Sequence, residues 1–140
     1  MLKMVKNHLK NQKGLTLIEL LAVIVILGII AAIAVPAIGG IINKTEKDAK
    51  VSEGIQIVNS AKMYMSAHQH KVTDATKPGI MVLSDTDLSA YLDNAASGFT
   101  VNVKKDTTTG KYTYEVASHD SETLVGDKTT PATETELLAY

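Results

Sequence analysis

An uninterrupted apolar run of 23 residues, from Leu20 to Ile42, most constrains this chain of 140 residues. The run contains only Leu, Ala, Val, Ile, Gly and Pro. As an α-helix it would extend about 35 Å, and the hydrocarbon core of a bilayer is about 30 Å thick. We therefore expect a membrane-spanning helix over residues 15–42. Glu19 is the exception, because this carboxylate lies one residue before the run, among apolar neighbours where water is scarce.

Charge is distributed unevenly along the chain. Residues 1–14 contain four of the fourteen lysines and no acid, whereas residues 15–140 contain the other ten lysines and all fifteen acids. Lysine and arginine are enriched on the cytoplasmic side of membrane spans, so the basic leader should stay inside while the acidic remainder crosses. An acidic outer domain does not favour bulk attraction to nucleic acid, and DNA binding would need a local lysine patch.

Two residue types are missing, and their absence excludes some chemistry. Without cysteine there are no disulfides, thiolate metal sites or cysteine nucleophiles. Without arginine there are no bidentate guanidinium contacts to phosphate. No nucleophile–base motif and no glycine-rich phosphate loop occurs either, so an enzyme is the least expected function.

The basic leader and the apolar run also fit two other interpretations. An ordinary secretory signal peptide would be cut after Ala34. Against this, the apolar run continues to Ile42, and Glu19 serves no purpose in such a signal. Alternatively, the run stays uncut and anchors an extracellular domain.

One long helix is expected from about Thr16 to His68. Pro36 removes the hydrogen bond to residue 32, and Gly39-Gly40 adds conformational freedom, so we expect a bend or local opening between about Ala32 and Gly40. Residues 43–68 are amphipathic, with one apolar stripe at steps of three and four residues. The stripe consists of Val51, Gly54, Ile55, Val58, Ala61 and Met65.

Residues 69–140 predict a small head domain. Phe99–Val103 and Tyr112–Val116 alternate apolar and polar residues and predict a β-hairpin. Ser84 with Asp87 three residues later predicts a capped helix that ends at about Asp93. Loops are expected at 69–79 and 94–98, a short strand at Leu124-Val125 and a loose tail at Lys128–Thr135.

Candidate ligand-binding side chains are few. His68 and His70 form the one close histidine pair, but residues two apart on a helix point away from each other, so solvated histidines are expected. Asp120, Glu122 and Asp127 could supply oxygen ligands to Ca²⁺, although their spacing matches no recognised calcium loop. Three lysines cluster at the hairpin tip, where a solvated turn is favoured over a docking patch: Lys104, Lys105 and Lys111.

The residues around Glu19 form a pattern found in a known family. Lys13-Gly14-Leu15-Thr16-Leu17-Ile18-Glu19 resembles the processing motif of the type IV pilins, which include the pseudopilins of type II secretion and competence systems. The resemblance implies that a prepilin peptidase removes residues 1–14 by cutting between Gly14 and Leu15, and that Leu15 is then N-methylated. Glu19 matches the acid at the fifth mature position. The first mature residue is Leu where Phe is commoner, and the missing cysteines favour a Gram-positive-type pilin or a pseudopilin.

The resemblance also implies a fold and a function. The fold is α+β and type IV pilin-like: one long N-terminal α-helix, transmembrane and then amphipathic, packed on a small antiparallel β-hairpin or meander. The function is that of a prepilin, a non-enzymatic structural subunit that needs no cofactor and polymerises through its N-terminal helix. The partners are copies of itself, the prepilin peptidase, a membrane platform protein and an assembly ATPase. The precursor would cross the inner or cytoplasmic membrane once before it enters an extracellular or cell-envelope filament.

Two alternatives to the pilus subunit stay open. One is a pseudopilin of a type II secretion or competence (DNA-uptake) system, and the other is a single-pass anchored extracellular binding domain that never polymerises.

Glu19 favours a subunit that polymerises over an anchored domain that does not. Cleavage would create an ammonium on Leu15 at a helix N-terminus, where the macrodipole disfavours positive charge, while an unpaired Glu19 in hydrocarbon costs several kcal/mol. Pairing the two groups, within one chain or between neighbours, offsets both costs.

Overall fold

The chain folds as α+β in a computed structural model that describes residues 2–72, 76, 78–94, 96–126 and 131–140, with side chains in the first helix described for residue 4 and from residue 16 onward. It divides into two compact units, Met1–Lys44 and Thr45–Tyr140. The elements are α1 Leu2–Ala67, β1 Ile80–Ser84, α2 Asp85–Leu88, β2 Thr100–Lys105, β3 Tyr112–Ala117, a 3₁₀ helix Asp120–Thr123, β4 Ala132–Thr133 and α3 Glu134–Ala139.

Helix α1 ends within one residue of the expected position but begins earlier, at Leu2 rather than Thr16. Residues 2–13 contain neither proline nor glycine, and seven of these twelve residues are Lys, Leu or Met, which are good helix formers, so the leader continues the helix. The local opening expected before Gly40 is not present, because α1 is α-helical throughout and includes Pro36. A proline removes one backbone hydrogen bond, and the adjacent turns keep theirs.

The predicted hairpin is confirmed as the centre of a four-stranded antiparallel sheet, ordered β1-β2-β3-β4. Val101 pairs with Val116 and Val103 with Tyr114, so these side chains share the buried face, as their alternation predicts. In the turn, the Asp106 carboxylate accepts hydrogen bonds from the Thr109 and Thr108 amides, which lower the pKa of Asp106.

The core of the second unit lies among α1, the sheet and the C-terminal elements. The predicted stripe faces this core: four of its six residues are buried, and Ile55 and Met65 are partly buried. Ile57, which the stripe omitted, is also fully buried. Burial of aliphatic side chains is the main stabilising contribution available to a chain with few aromatic residues. The buried apolar residues are Val51, Ile57, Val58, Ala61, Met81, Leu83, Leu88, Phe99, Val101, Val103, Tyr114, Val116, Val125, Ala132 and Leu137.

Three expectations about the head domain were wrong. Leu124-Val125 is not a strand, because the preceding residues form a 3₁₀ helix whose last turn includes both backbone amides. Within the predicted loose tail, residues 132–133 form β4 and α3 begins at Glu134, capped by Thr133. Helix α2 ends at Leu88 rather than near Asp93, and a turn follows in which the Tyr91 amide donates a hydrogen bond to the Leu88 carbonyl oxygen. The Ser84–Asp87 capping box that begins α2 is confirmed.

Candidate processing and assembly site

The apolar part of α1 has no protein cover within its own unit. From Leu17 to Ile42 every large apolar side chain is 53% to 70% exposed. A soluble protein rarely exposes a contiguous apolar surface of this size. Among the described residues one helix is long and apolar enough to span a membrane, and its most apolar window has a mean hydropathy of 3.0 with none of it buried. This surface therefore requires lipid or other protein chains around it.

Glu19 is the one carboxylate on this surface between residues 16 and 42. Its side chain is exposed, and the positions three and four residues away on either side are Leu15, Thr16, Ala22 and Val23, so no lysine of its own chain lies one helical turn away. The backbone nitrogen of residue 15 lies one turn before Glu19, about 6 Å along the helix. A cut after Gly14 would free that nitrogen as an ammonium group.

The positions expected to add flexibility lie within continuous helix. Pro36 is inside α1, and a Cβ added at Gly39 or Gly40 would have no neighbour within 4 Å. Neither glycine is therefore required by packing within this unit. Their role as a flexible segment stays a prediction.

In the second unit, α1 binds the C-terminal segment through charged contacts. Lys50 Nζ lies 3.1 Å from Asp120 and 3.5 Å from Glu46, one helical turn earlier on α1. The hydrogen bond and charge of Asp120 raise the pKa of Lys50. Lys62 contacts Glu134 at the start of α3. The sequence did not predict the pairing of Lys50 with Asp120 or of Lys62 with Glu134.

A serine, a histidine and a carboxylate come together where α1 meets the 3₁₀ helix. Ser121 Oγ lies 2.8 Å from His119 Nδ1, and His119 Nε2 lies 3.4 Å from Glu53 Oε2. Such a series can activate a hydroxyl nucleophile in an enzyme. Here Ser121 is fully buried beneath Gly54, and a Cβ at residue 54 would be 2.6 Å from Ser121 Oγ. No substrate can reach the hydroxyl, so these residues form a packing contact.

The two histidines of the candidate pair have separate neighbours. The His68 ring stacks on Tyr64 with 4.0 Å between centroids, and His70 Nε2 lies 3.2 Å from the Val103 carbonyl oxygen. In the part of the chain that the structure describes, no three His, Asp or Glu side chains are placed to hold one metal ion.

The candidate calcium ligands are only partly described. Asp120 pairs with Lys50, and the Glu122 carboxylate accepts a hydrogen bond from the Ser118 amide. Asp127 lies outside the described residues. Calcium binding in this region stays a prediction.

Comparison with known proteins finds a motif that matches the start of the apolar segment, and proteins that are similar to the chain. The model of the prokaryotic N-terminal methylation motif matches residues 9–35, which include Gly14, Leu15 and Glu19. Type IV major fimbrial protein FimA of Dichelobacter nodosus (strain VCS1703A) is 37% identical over 82 residues, which are 57% of this chain and 48% of that protein. Type IV major alpha-pilin of Moraxella bovis is 35% identical over 102 residues, 61% of this chain and 64% of that protein.

A secretion protein is similar at the same percentage identity but over fewer residues. Type II secretion system core protein G of Escherichia coli (strain K12) is 37% identical over 63 residues, 45% of this chain and 43% of that protein. The chain thus spans between 43% and 64% of the length of these relatives. No solved structure matches it significantly.

These findings show which class of protein the chain resembles. The chain carries the N-terminal methylation motif of type IV pilins, and its fold of one long helix with a four-stranded antiparallel sheet agrees with the α+β fold of that class. Its relatives are type IV fimbrial pilins and type II secretion pseudopilins. Nothing in these comparisons supports the expected Gram-positive type.

Proposed function

We propose that this chain is the precursor of a structural subunit of a type IV pilus-like filament. The observation that carries the proposal is the uncovered apolar surface of α1, which lies largely within the segment that matches the methylation motif. Lipid can cover that surface in the precursor, and the helices of other copies can cover it in a filament. One surface then serves first as a single-pass membrane anchor and afterwards as the filament core.

Processing separates these two states. A prepilin peptidase would hydrolyse the peptide bond between Gly14 and Leu15 on the cytoplasmic side, where the four leader lysines hold the N-terminus. N-methylation of Leu15 keeps the new amino group positively charged. The cut also removes all four leader lysines from the mature helix.

Glu19 gives the cut subunit a specific attraction to the filament. An ionised carboxylate surrounded by apolar side chains costs several kcal/mol unless it is paired. The uncut chain offers Glu19 no cation one turn away, and the ammonium of Leu15 is created only by cleavage. Pairing with the ammonium of a neighbouring copy would set the axial register between subunits.

Other parts of the machinery follow from this role. Movement of the mature subunit out of the membrane would require a platform protein and a cytoplasmic ATPase, because the chain has no nucleotide-binding motif of its own. Flexibility at Pro36, Gly39 and Gly40 would let the helix adapt to its neighbours in the filament. In this role the chain acts as a building block and performs no catalysis.

The mass of the mature N-terminus tests the proposal. Protein extracted from cell membranes and from sheared surface filaments should begin with N-methylated Leu15. An intact Met1 in both fractions would instead support a permanently anchored binding domain. A chain that begins at Val35 would support ordinary signal-peptide cleavage. Either of these results would overturn the proposal.

A pseudopilin of a type II secretion system is the second candidate. It is favoured by the similarity to core protein G, whose identity of 37% equals that of the fimbrial FimA protein. Deletion of the gene separates the two roles. Loss of long surface filaments with normal secretion supports the pilus subunit, whereas loss of secreted proteins without loss of filaments supports the pseudopilin.

A further inference from the structure

The sheet of the second unit has lysines at one end of its strands. Lys105 and Lys111 lie on the hairpin between β2 and β3, and both are exposed. Lys71 lies at the same end of the sheet, because its amide donates a hydrogen bond to Met81 Sδ near the start of β1. These three lysines define the basic end of the sheet.

Carboxylates lie at the opposite end of the same strands. Strands β1 and β3 both end beside Thr100 of β2, which pairs with Ser84 and with Ala117. Neighbouring strands are about 4.8 Å apart, so the ends of β1 and β3 are about 10 Å apart. The segments that follow them, residues 85–88 and 118–123, contain four acids and no lysine. These acids define the acidic end: Asp85, Asp87, Asp120 and Glu122.

Neither end has its charge neutralised within the described part of the chain. The three lysines of the basic end form no ion pair with any described residue. At the acidic end Lys50 pairs with Asp120, whereas the other three carboxylates accept hydrogen bonds from backbone amides and a serine hydroxyl and meet no described cation. The two ends are one strand length apart, about 20 Å, so the ends of one chain do not pair with each other.

We propose that the basic end of one copy docks on the acidic end of a second copy. The inference rests on the proposed filament role and adds a contact between head domains to the apolar packing of α1. Two unlike surfaces at opposite ends of one molecule form a head-to-tail contact, which leaves an open end on each added copy and so continues along a helical filament. Two basic ends repel each other, so charge disfavours a closed symmetric dimer.

Charge gives this contact a direction that the apolar surface of α1 lacks. The burial of apolar surface is non-directional, so it holds the helices together without selecting one orientation of the heads. Complementary charges fix the register of an interface and suppress wrong partners more than they add affinity. We therefore expect the two charged ends to orient the heads of copies whose helices are held by apolar packing.

Cross-linking in sheared filaments tests the contact, and because the chain has no cysteine of its own, only introduced cysteines react. Thr107 in the hairpin turn and Thr123 at the acidic end are both exposed. Filaments of Thr107→Cys/Thr123→Cys, treated with a bismaleimide shorter than the distance of about 20 Å between the two ends, should give a series of covalent multimers. Each single variant should stay monomeric, because like ends do not meet.

Ser89→Cys/Thr123→Cys is the matched control, since both of its cysteines are exposed and lie on the acidic side of the sheet. It should give no multimers. Equal cross-linking of this control would overturn the proposal, and so would dimers of Thr107→Cys alone, which would show two hairpins in contact.

Reversal of charge at the basic end is an independent test. Lys105→Glu/Lys111→Glu should reduce the yield of filaments about tenfold, and Lys105→Arg/Lys111→Arg should retain it, because only the first variant places like charges together. Normal yield from the glutamate variant, or wild-type filaments alongside a double-cysteine variant that assembles without cross-links, would overturn this contact and leave the filament role in place. An intact Met1 and no filaments from wild type would overturn the filament role and this contact with it.

Discussion

Glu53 on α1 and His119 after β3 lie side by side, with Oε2 3.4 Å from Nε2. On the other side of the ring, Nδ1 accepts the amide of Ser121 at 3.2 Å, which assigns the ring proton to Nε2. The imidazole therefore accepts a hydrogen bond from the 3₁₀ helix at Nδ1, while Nε2 faces Glu53 of α1 without forming a hydrogen bond. Ser121 in turn packs directly on Gly54, so the absence of a side chain at that position lets the two segments approach.

Gly54→Ala should destabilise the second unit although alanine is the better helix former. The new Cβ would lie 2.6 Å from Ser121 Oγ and 3.1 Å from Leu137 Cδ2, so the C-terminal segment must shift. Overpacking of this kind costs about 1–3 kcal/mol, which outweighs a gain in helix propensity of about 1 kcal/mol. Thermal unfolding of the chain in detergent, followed by circular dichroism, measures the net effect.

The double variant Gly54→Ala/Ser121→Ala provides the control. Removal of Ser121 Oγ relieves the closest contact, so the two substitutions together should cost less than the sum of their separate effects. A melting temperature of Gly54→Ala equal to or above that of wild type would contradict the close approach.

Much of the head domain could be predicted because its signals are local. The alternation around Val101 and Val116 sets a strand period, and Ser84 with Asp87 sets a helix start, each within a few residues. The stripe from Val51 to Met65 likewise follows the helical repeat. These patterns could be identified without knowledge of their partners, because each element's own periodicity sets which face is buried.

The C-terminal segment could not be predicted as well, because its structure depends on distant residues. Strand β4 has two residues and exists only through its pairing with Glu115 and Val116. His119 contacts a residue on α1 that is 66 positions earlier, and no local pattern marks such a pair. The start of α3, by contrast, could have been predicted from the sequence. Thr133 and Glu136 form the same kind of capping box as the one recognised at Ser84.

The candidate site rests on the sequence motif more than on geometry. Gly14, Leu15 and Glu19 were selected by their fixed spacing, which a family model also matches. Their roles involve a peptidase and neighbouring copies, which a single chain does not contain. Cleavage, methylation and charge pairing therefore stay predictions.

Thr133→Ala should destabilise the C-terminal segment by about 1 kcal/mol. The Thr133 side chain accepts the Glu136 amide at the start of α3, while the Glu136 carboxylate accepts the amide of Thr133. Alanine leaves the first of these amides without its partner, whereas Thr133→Ser keeps the hydroxyl and should retain nearly all the stability. Melting temperatures of both variants measure the difference. Equal losses in the serine and alanine variants would show that the methyl group matters and the cap does not.

Part of the stability of the head should be lost in acid through Asp87. The Ser84 hydroxyl and, to a smaller extent, the Ser84 amide donate hydrogen bonds to the Asp87 carboxylate, and these bonds lower the pKa of Asp87 below the ordinary 3.8. Because the folded state binds this proton less tightly than the unfolded state, the ionised carboxylate stabilises the fold above about pH 3.8. The contribution is lost as the pH falls through the lowered value.

The variant Asp87→Asn isolates this acid sensitivity. It should reduce the drop in melting temperature between neutral pH and about pH 3, because the asparagine does not titrate there. Asp93→Asn removes an exposed carboxylate that forms no part of the Ser84–Asp87 capping box and serves as the matched control. An unchanged drop for Asp87→Asn would show that the cap does not contribute through its charge.

Glu19→Ala should leave membrane insertion intact and reduce filament assembly. Removal of the carboxylate makes the apolar surface continuous, so the precursor should partition into membranes at least as well as wild type. The mature subunit would lose the group that pairs with a Leu15 ammonium.

Val23→Ala provides the control for Glu19→Ala, because it lies one turn further along the same helix face. It changes an exposed apolar side chain without removing a charge and should assemble nearly normally. Sheared filaments quantified by immunoblot, against membrane-bound protein from the same cells, measure both properties. Normal filament yield from Glu19→Ala would mean that this carboxylate has no part in subunit docking.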